Sequence, residues 1–139
     1  MLMHPLQATQ VRANLGEFID TVVREKPMAV KRNRDVIVAA SIGHWRLLLS
    51  SYQLTIDLEQ DEDGRFAGTI EEIPFIVADG QTIEELRMEL ARKLMEYAEQ
   101  YEDEHHRYFN APNTRSNFPF VLRVLLEDDI KSVAGLLHA

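Results

Sequence analysis

The side chains best suited to chemistry fall into three groups. Arg12 and Asn14, then Lys31, Arg32 and Arg34, are donors of the kind that meet base edges and phosphates. Asp57, Glu59, Asp61, Glu62 and Asp63 crowd a short span, and metal-dependent nuclease chemistry needs carboxylates converging on divalent ions. His105 and His106, beside Asp103 and Glu104, are the best metal-ligand candidates. The last two groups have simpler readings. Strand faces and turns exposed to water carry carboxylates of this sort. Adjacent histidines project in different directions, and no third His or Cys is spaced to complete a zinc site. There is no Ser or Cys nucleophile signature, Walker loop or Gly-x-Gly-x-x-Gly pattern. The expectation is a chain that is not an enzyme, with no catalytic residue, metal or cofactor. A metal-dependent nuclease built on the later carboxylates is a rival, against which stands the lack of an obvious carboxylate triad.

The donors need a scaffold, and the flanking pattern supplies one. Leu15, Phe18, Ile19, Val22 and Val23 recur at helical spacing and give one apolar stripe. Asn14 precedes that stripe and Glu17 follows three residues later, so a capping box is expected there. Pro27 ends the helix. Residues 28–31 and 36–40 are β-prone segments around Arg32-Asn33-Arg34-Asp35, a turn-like, positively charged tip. Leu2 and Leu6 around Pro5 read as a short edge strand, and residues 9–13 as a turn or so of helix. Arg12 and Asn14 therefore occupy the turn between two helices. Ser41 caps a third helix carrying Ile42, Trp45, Leu48 and Leu49, with Trp45 read as a packing residue.

From Tyr52 the periodicity becomes strand-like. Tyr52, Leu54, Ile56 and Leu58 alternate with polar positions. Residues 61–64 make a turn, residues 65–70 return, and a third apolar run covers 73–78. Thr82 then opens a long helix, with Glu85 expected to complete a capping box. Ile83, Leu86, Leu90, Leu94, Tyr97 and Tyr101 form its stripe. Residues 110–114 read as a loop, and 118–126, apolar with a proline at 119, as a fourth strand at the sheet edge. Glu127, Asp128 and Asp129 start a short terminal helix, placed where the helix dipole favours acids.

One compact domain or two small ones would fit the length, and the change from helical to strand periodicity near residue 50 favours two in an α+β chain. In 139 residues, 45% are hydrophobic, enough for a core, and cysteine is absent, so no disulfide or thiolate chemistry is available. No apolar run approaches a membrane span and the start lacks a signal-peptide pattern, so a cytoplasmic protein without membrane contact is expected. The net charge of −8 divides unequally. Residues 1–50 hold seven Lys/Arg and four Asp/Glu, a balance of +3, whereas residues 51–139 hold eight and nineteen, a balance of −11. That asymmetry suits a basic reader joined to an acidic partner-binding half.

Ala8-Thr9, Arg12-Ala13-Asn14-Leu15, Phe18-Ile19-Asp20, Pro27, Lys31-Arg32 and Asp35-Val36-Ile37-Val38 occur in an order that resembles the N-terminal domain of Phd/YefM-type antitoxins. The resemblance implies a DNA-binding and dimerisation domain over residues 1–50, with the Arg12–Asn14 turn entering the major groove. Tyr52, Asp63-Gly64-Arg65-Phe66, Ile73-Pro74, Ala78-Asp79-Gly80-Gln81-Thr82 and Glu84-Glu85 make residues 51–139 similar to HicB-type antitoxins. That likeness implies a partial ribonuclease-H-like β-β-β-α-β domain. Phe75 and Ile76 stand where HicB proteins usually have glycine and often cysteine, and the DNA-binding module here precedes this domain. Together the resemblances imply a type II antitoxin and transcriptional repressor. Its expected partners are operator DNA, a cognate toxin and a second copy, as a homodimer or higher even oligomer. The DNA contacts expected are Arg12 and Asn14 on bases, with Lys31, Arg32 and Arg34 on phosphates. The alternative is a stand-alone binding or scaffold protein that dimerises without DNA.

Overall fold

In the computed structural model, which describes all 139 residues, β1 (Leu6–Gln7) leads without a loop into α1 (Ala8–Ala13) and α2 (Leu15–Arg24). The Gln7 N–H donates to Gln10 Oε1 at 2.9 Å and fixes the start of α1. Strands β2 (Met28–Arg32) and β3 (Asp35–Ala39) follow, then α3 (Ile42–Leu49). β1 lies parallel to β2, with Leu6 opposite Val30, and β2 is antiparallel to β3, with Arg32 opposite Asp35. Only Asn33 and Arg34 remain for the turn, and Asn33 takes a left-handed φ of 56°. Short polar residues such as Asn tolerate that region, which matches a tight turn to the twist of its strands. Ser41 Oγ accepts from the His44 N–H at 3.3 Å and caps α3.

The expected capping box at Asn14 does not form. Asn14 sits at the break between α1 and α2 with φ −134° and ψ 48°, and its side chain makes no cap hydrogen bond. An N-cap side chain reaches the first turn from an extended backbone, which this ψ is not. The break is held by main chain instead. The Asn14 N–H donates to the Gln10 and Val11 carbonyls, and the Asn14 carbonyl accepts from Phe18 at 3.0 Å.

A second set of elements begins with β4 (Leu54–Gln60), β5 (Phe66–Ile70) and β6 (Ile73–Gly80), an antiparallel meander. Tyr52 lies before the first of these strands. In the β4–β5 turn, Asp61 Oδ1 accepts from the Asp63 and Arg65 N–H groups at 3.0 and 2.9 Å, and Gly64 takes a φ of 83°. α4 (Ile83–Asp103) then lays Leu86, Leu90 and Leu94, all fully buried, on one face of the sheet. Thr82 Oγ1 caps it by accepting from the Glu85 N–H at 3.0 Å. The Glu85 carboxylate returns to the Gln81 N–H at 2.8 Å, one residue further out than a capping box requires.

The remaining elements are α5 (His105–Asn110), a 3-10 turn (Arg115–Asn117), α6 (Phe118–Leu125), α7 (Ile130–Ala134) and β7 (Leu137–His138). The segment expected as a fourth strand is therefore the helix α6. Pro119 sits in its first turn, where a missing N–H costs nothing, and Val121 and Val124 turn inward. The fourth strand is β7, which pairs parallel with β4, Leu54 opposite Leu137. Arg87 bonds to the Leu137 carbonyl and helps hold β7 in place. The fold is thus mixed α+β, with seven helices and two mixed sheets ordered β1-β2-β3 and β6-β5-β4-β7. Chain contacts divide it into Met1–Leu48 and Leu49–Ala139, and the continuous apolar core belongs to the second unit.

Two predictions follow from how α4 and α7 are seated. A Cβ on Gly80 would lie 2.8 Å from the Leu86 backbone nitrogen and 3.0 Å from Glu85 Cβ. Gly80→Ala should therefore destabilise the second unit by about 1–3 kcal/mol, read as a lower melting temperature of the tyrosine near-UV signal. Asp129, at the start of α7, accepts from the Ser132 N–H at 2.8 Å and its hydroxyl at 2.9 Å, and these bonds hold its carboxyl below the usual range. A depressed folded-state value stabilises above the unfolded value and ceases to as pH falls through the folded one. Protection of the Ser132 amide should decline on acidification in that order, and less steeply in Asp129→Asn.

Candidate functional site

The expected DNA-contacting residues all lie in the first unit, and all are exposed. Arg12 projects from the last turn of α1, Asn14 occupies the α1–α2 break, Lys31 and Arg32 end β2, and Arg34 is in the hairpin turn. None of these four cations has an ion-pair partner, whereas Arg24 pairs with Asp20 at 2.8 Å. Unpaired, exposed guanidinium and ammonium groups keep their full charge available to phosphates.

The structure does not bring the five residues into one cluster. Asn14 lines a cavity of about 340 Å³ with Gln10, Glu17, Phe18 and Met28, at the beginning of β2. The basic tip is at the other end of that strand. Four residue steps separate Met28 from Arg32, roughly 13 Å of strand. The result is two donor sets, one at the helix break and one on the hairpin.

The same unit also exposes much apolar surface. Within the first unit, Val22, Ala29 and Val30 are the buried hydrophobic residues. Leu15, Ile19 and Val23 form an exposed ridge along α2, while Val36, Ile37 and Val38 on β3 and Ile42, Trp45 and Leu48 on α3 are exposed too. The α2 stripe is thus split, with Phe18 and Val22 inward and three other members outward. A unit of this size without disulfides or metals has too little interior to cover such a surface by itself.

The carboxylates of the second unit serve structure or face water. Asp57 and Glu59 are exposed on β4, and Asp61 is turned onto its own loop backbone. His105 and His106 diverge. The His105 ring stacks on Phe109, centroids 5.3 Å apart, whereas His106 Nδ1 lies 3.1 Å from Asn110 Nδ2. No three His, Asp or Glu side chains converge in a way that would hold a metal ion.

One surface that was not among the expected sites is a groove of about 910 Å³ beside β6 and the start of α4. Asp79, Glu84, Glu85 and Glu89 line it with Arg65 and Lys93. Arg65 bonds to Asp79 at 2.9 Å, and Lys93 Nζ donates to the Val77 carbonyl at 2.6 Å. Glu89 is held below the ordinary carboxylate range by its hydrogen bond from Arg92. Residues 16 positions apart give no local signal of meeting, so only the fold reveals the Lys93–Val77 contact.

A family model described as "PHD_like: Antitoxin of toxin-antitoxin, RelE / RelB, TA system" matches residues 1–139. Among solved structures, an antitoxin from Syntrophomonas wolfei subsp. wolfei superposes with a TM-score of 0.90 at 39% sequence identity. The match covers 99% of this chain and 98% of that one. No curated protein matches.

Because the Asn14 side chain makes no cap bond, Asn14→Ala should cost much less than the ~1 kcal/mol typical of a lost N-cap. An essentially unchanged thermal melt is expected. A melt lowered by the full cap value would assign Asn14 to helix capping.

Proposed function

The chain belongs to the Phd-like family of antitoxins of RelE/RelB toxin-antitoxin systems, and within it we propose a dimeric, operator-binding antitoxin of type II. Membership makes it a non-enzymatic regulatory protein with a cognate toxin as partner. The observation that carries the reading is end-to-end likeness to an antitoxin at 39% identity. A stand-alone scaffold is not favoured by that likeness.

In this reading the first unit, with its Phd/YefM-like order of elements, binds DNA and pairs with a second copy. The uncovered apolar ridge on α2 and the exposed β3 and α3 residues support pairing, since their burial would supply the core that the unit lacks. Two-fold symmetry would present two Arg12–Asn14 breaks to two half-sites. Arg12 and Asn14 would contact bases, while Lys31, Arg32 and Arg34 contact phosphates. The second unit, HicB-like in its order of strands and helix, would hold the toxin through its acidic surface. No helix is long and apolar enough to cross a membrane. DNA and a toxin as partners place the work in the cytoplasm.

The test is a binding titration on DNA from upstream of its own gene, at fixed and then varied salt. Arg12→Ala should weaken binding by about 1–3 kcal/mol if Arg12 pairs with a guanine, and Lys31→Ala should flatten the salt dependence by roughly 0.9 in log–log slope. Wild-type protein that does not prefer this DNA to an unrelated duplex would overturn the repressor reading.

A further inference from the structure

The larger sheet has two unlike edges. One is the two-residue β7; the other is β6, eight residues long. A long edge strand offers N–H and C=O groups as a template for another chain unless something blocks it. Pro74 blocks the beginning of β6, because it has no N–H to give. Residues 77–80 carry no such block in their own sequence. The stopper there comes from α4, where Lys93 Nζ donates to the Val77 carbonyl.

The reach of Lys93 to that oxygen places Val77 among the residues that face away from β5. The N–H and C=O of one strand residue share a side, so the Val77 N–H also faces the open edge. An ammonium on an edge carbonyl occupies the place that the N–H of an added strand would take. Val77 is 49% exposed, an apolar anchor at the same point. The adjoining groove selects for charge. Asp79, Glu84, Glu85 and Glu89 line it against two cations, Arg65 and Lys93, so its lining carries an excess of negative charge.

We propose that this edge receives an extended, Lys- or Arg-bearing segment of the cognate toxin by strand addition, and that Lys93 is the latch the segment displaces. Main-chain bonds to β6 would give affinity and the groove carboxylates would choose a cationic strand. This rests on the toxin-neutralising reading above, which leaves the docking surface unassigned.

The experiment uses the full chain, with the purified product of the reading frame next to its own gene as probe. Wild type, Lys93→Met and Val77→Pro are compared by calorimetry, and thermal melts verify that each variant folds. Removing the latch should tighten binding about tenfold, whereas removing the outward Val77 N–H should weaken it about tenfold or more. Hydrogen exchange on the wild type gives a readout free of substitutions, with the Val77 and Asp79 amides becoming protected when the probe binds. A wild type that does not bind the probe overturns both this proposal and the toxin-neutralising reading. Binding with both variants unchanged and those amides unprotected overturns strand addition alone. Protection that rises with antitoxin concentration in the absence of probe assigns the edge to a second copy, and overturns it as well.

Discussion

Apolar burial is distributed unequally along this chain, and the behaviour of each half depends on that inequality. In the second unit, α4 presses Leu86, Leu90 and Leu94 against the sheet, and α6, α7 and β7 complete the same core. At ~25 cal/mol per Å² of apolar surface, this helix–sheet layer is the main stabilising term available to the unit. The first unit has the same kinds of residue but few places to put them. Its strands pair in register across β1-β2-β3, yet most large apolar side chains on α2, β3 and α3 remain at the surface. A half that completes its own interior can offer polar surfaces for recognition, and a half that does not keeps apolar surface whose burial would be favourable.

Electrostatics divides along the same line. The first unit keeps its key cations exposed and without carboxylate partners, which leaves their charge free for a polyanion. In the second unit the cations are used internally: Arg65 on Asp79, Lys93 on a strand carbonyl, Arg92 on Glu89. Each such ion pair cancels one charge of each sign, so the acidic half keeps the net negative charge of its composition. Exposed pairs of this kind contribute little to stability, so their consequence is the surface they leave behind.

Much of the order of elements was legible because it rests on local rules. Helical and strand periodicities, Pro27 after α2, Gly64 in the β4–β5 turn and Thr82 before α4 each act within a few residues. Expectations failed where local rules are degenerate, at Asn14 and over residues 118–126 among them. A capping box needs a backbone angle as well as two residue types, and Asn14 has the residue without the angle. An apolar run with an early proline fits an edge strand or the first turn of a buried helix. Residues 118–125 became the helix because the inward faces of Val121 and Val124 meet α4, while β7 takes the place beside β4.

The alternation of helix and strand, the two-part division of charge and the presence of cationic donors follow from composition and short-range spacing. Packing between distant parts of the chain puts Asn14 and the basic tip at opposite ends of β2, leaves three of the five α2 stripe residues uncovered, and brings Lys93 to the edge at Val77. Each of those outcomes depends on which residues distant in the chain come to share an edge or a face. Chain connectivity and packing settle that, and no window of neighbouring residues contains it.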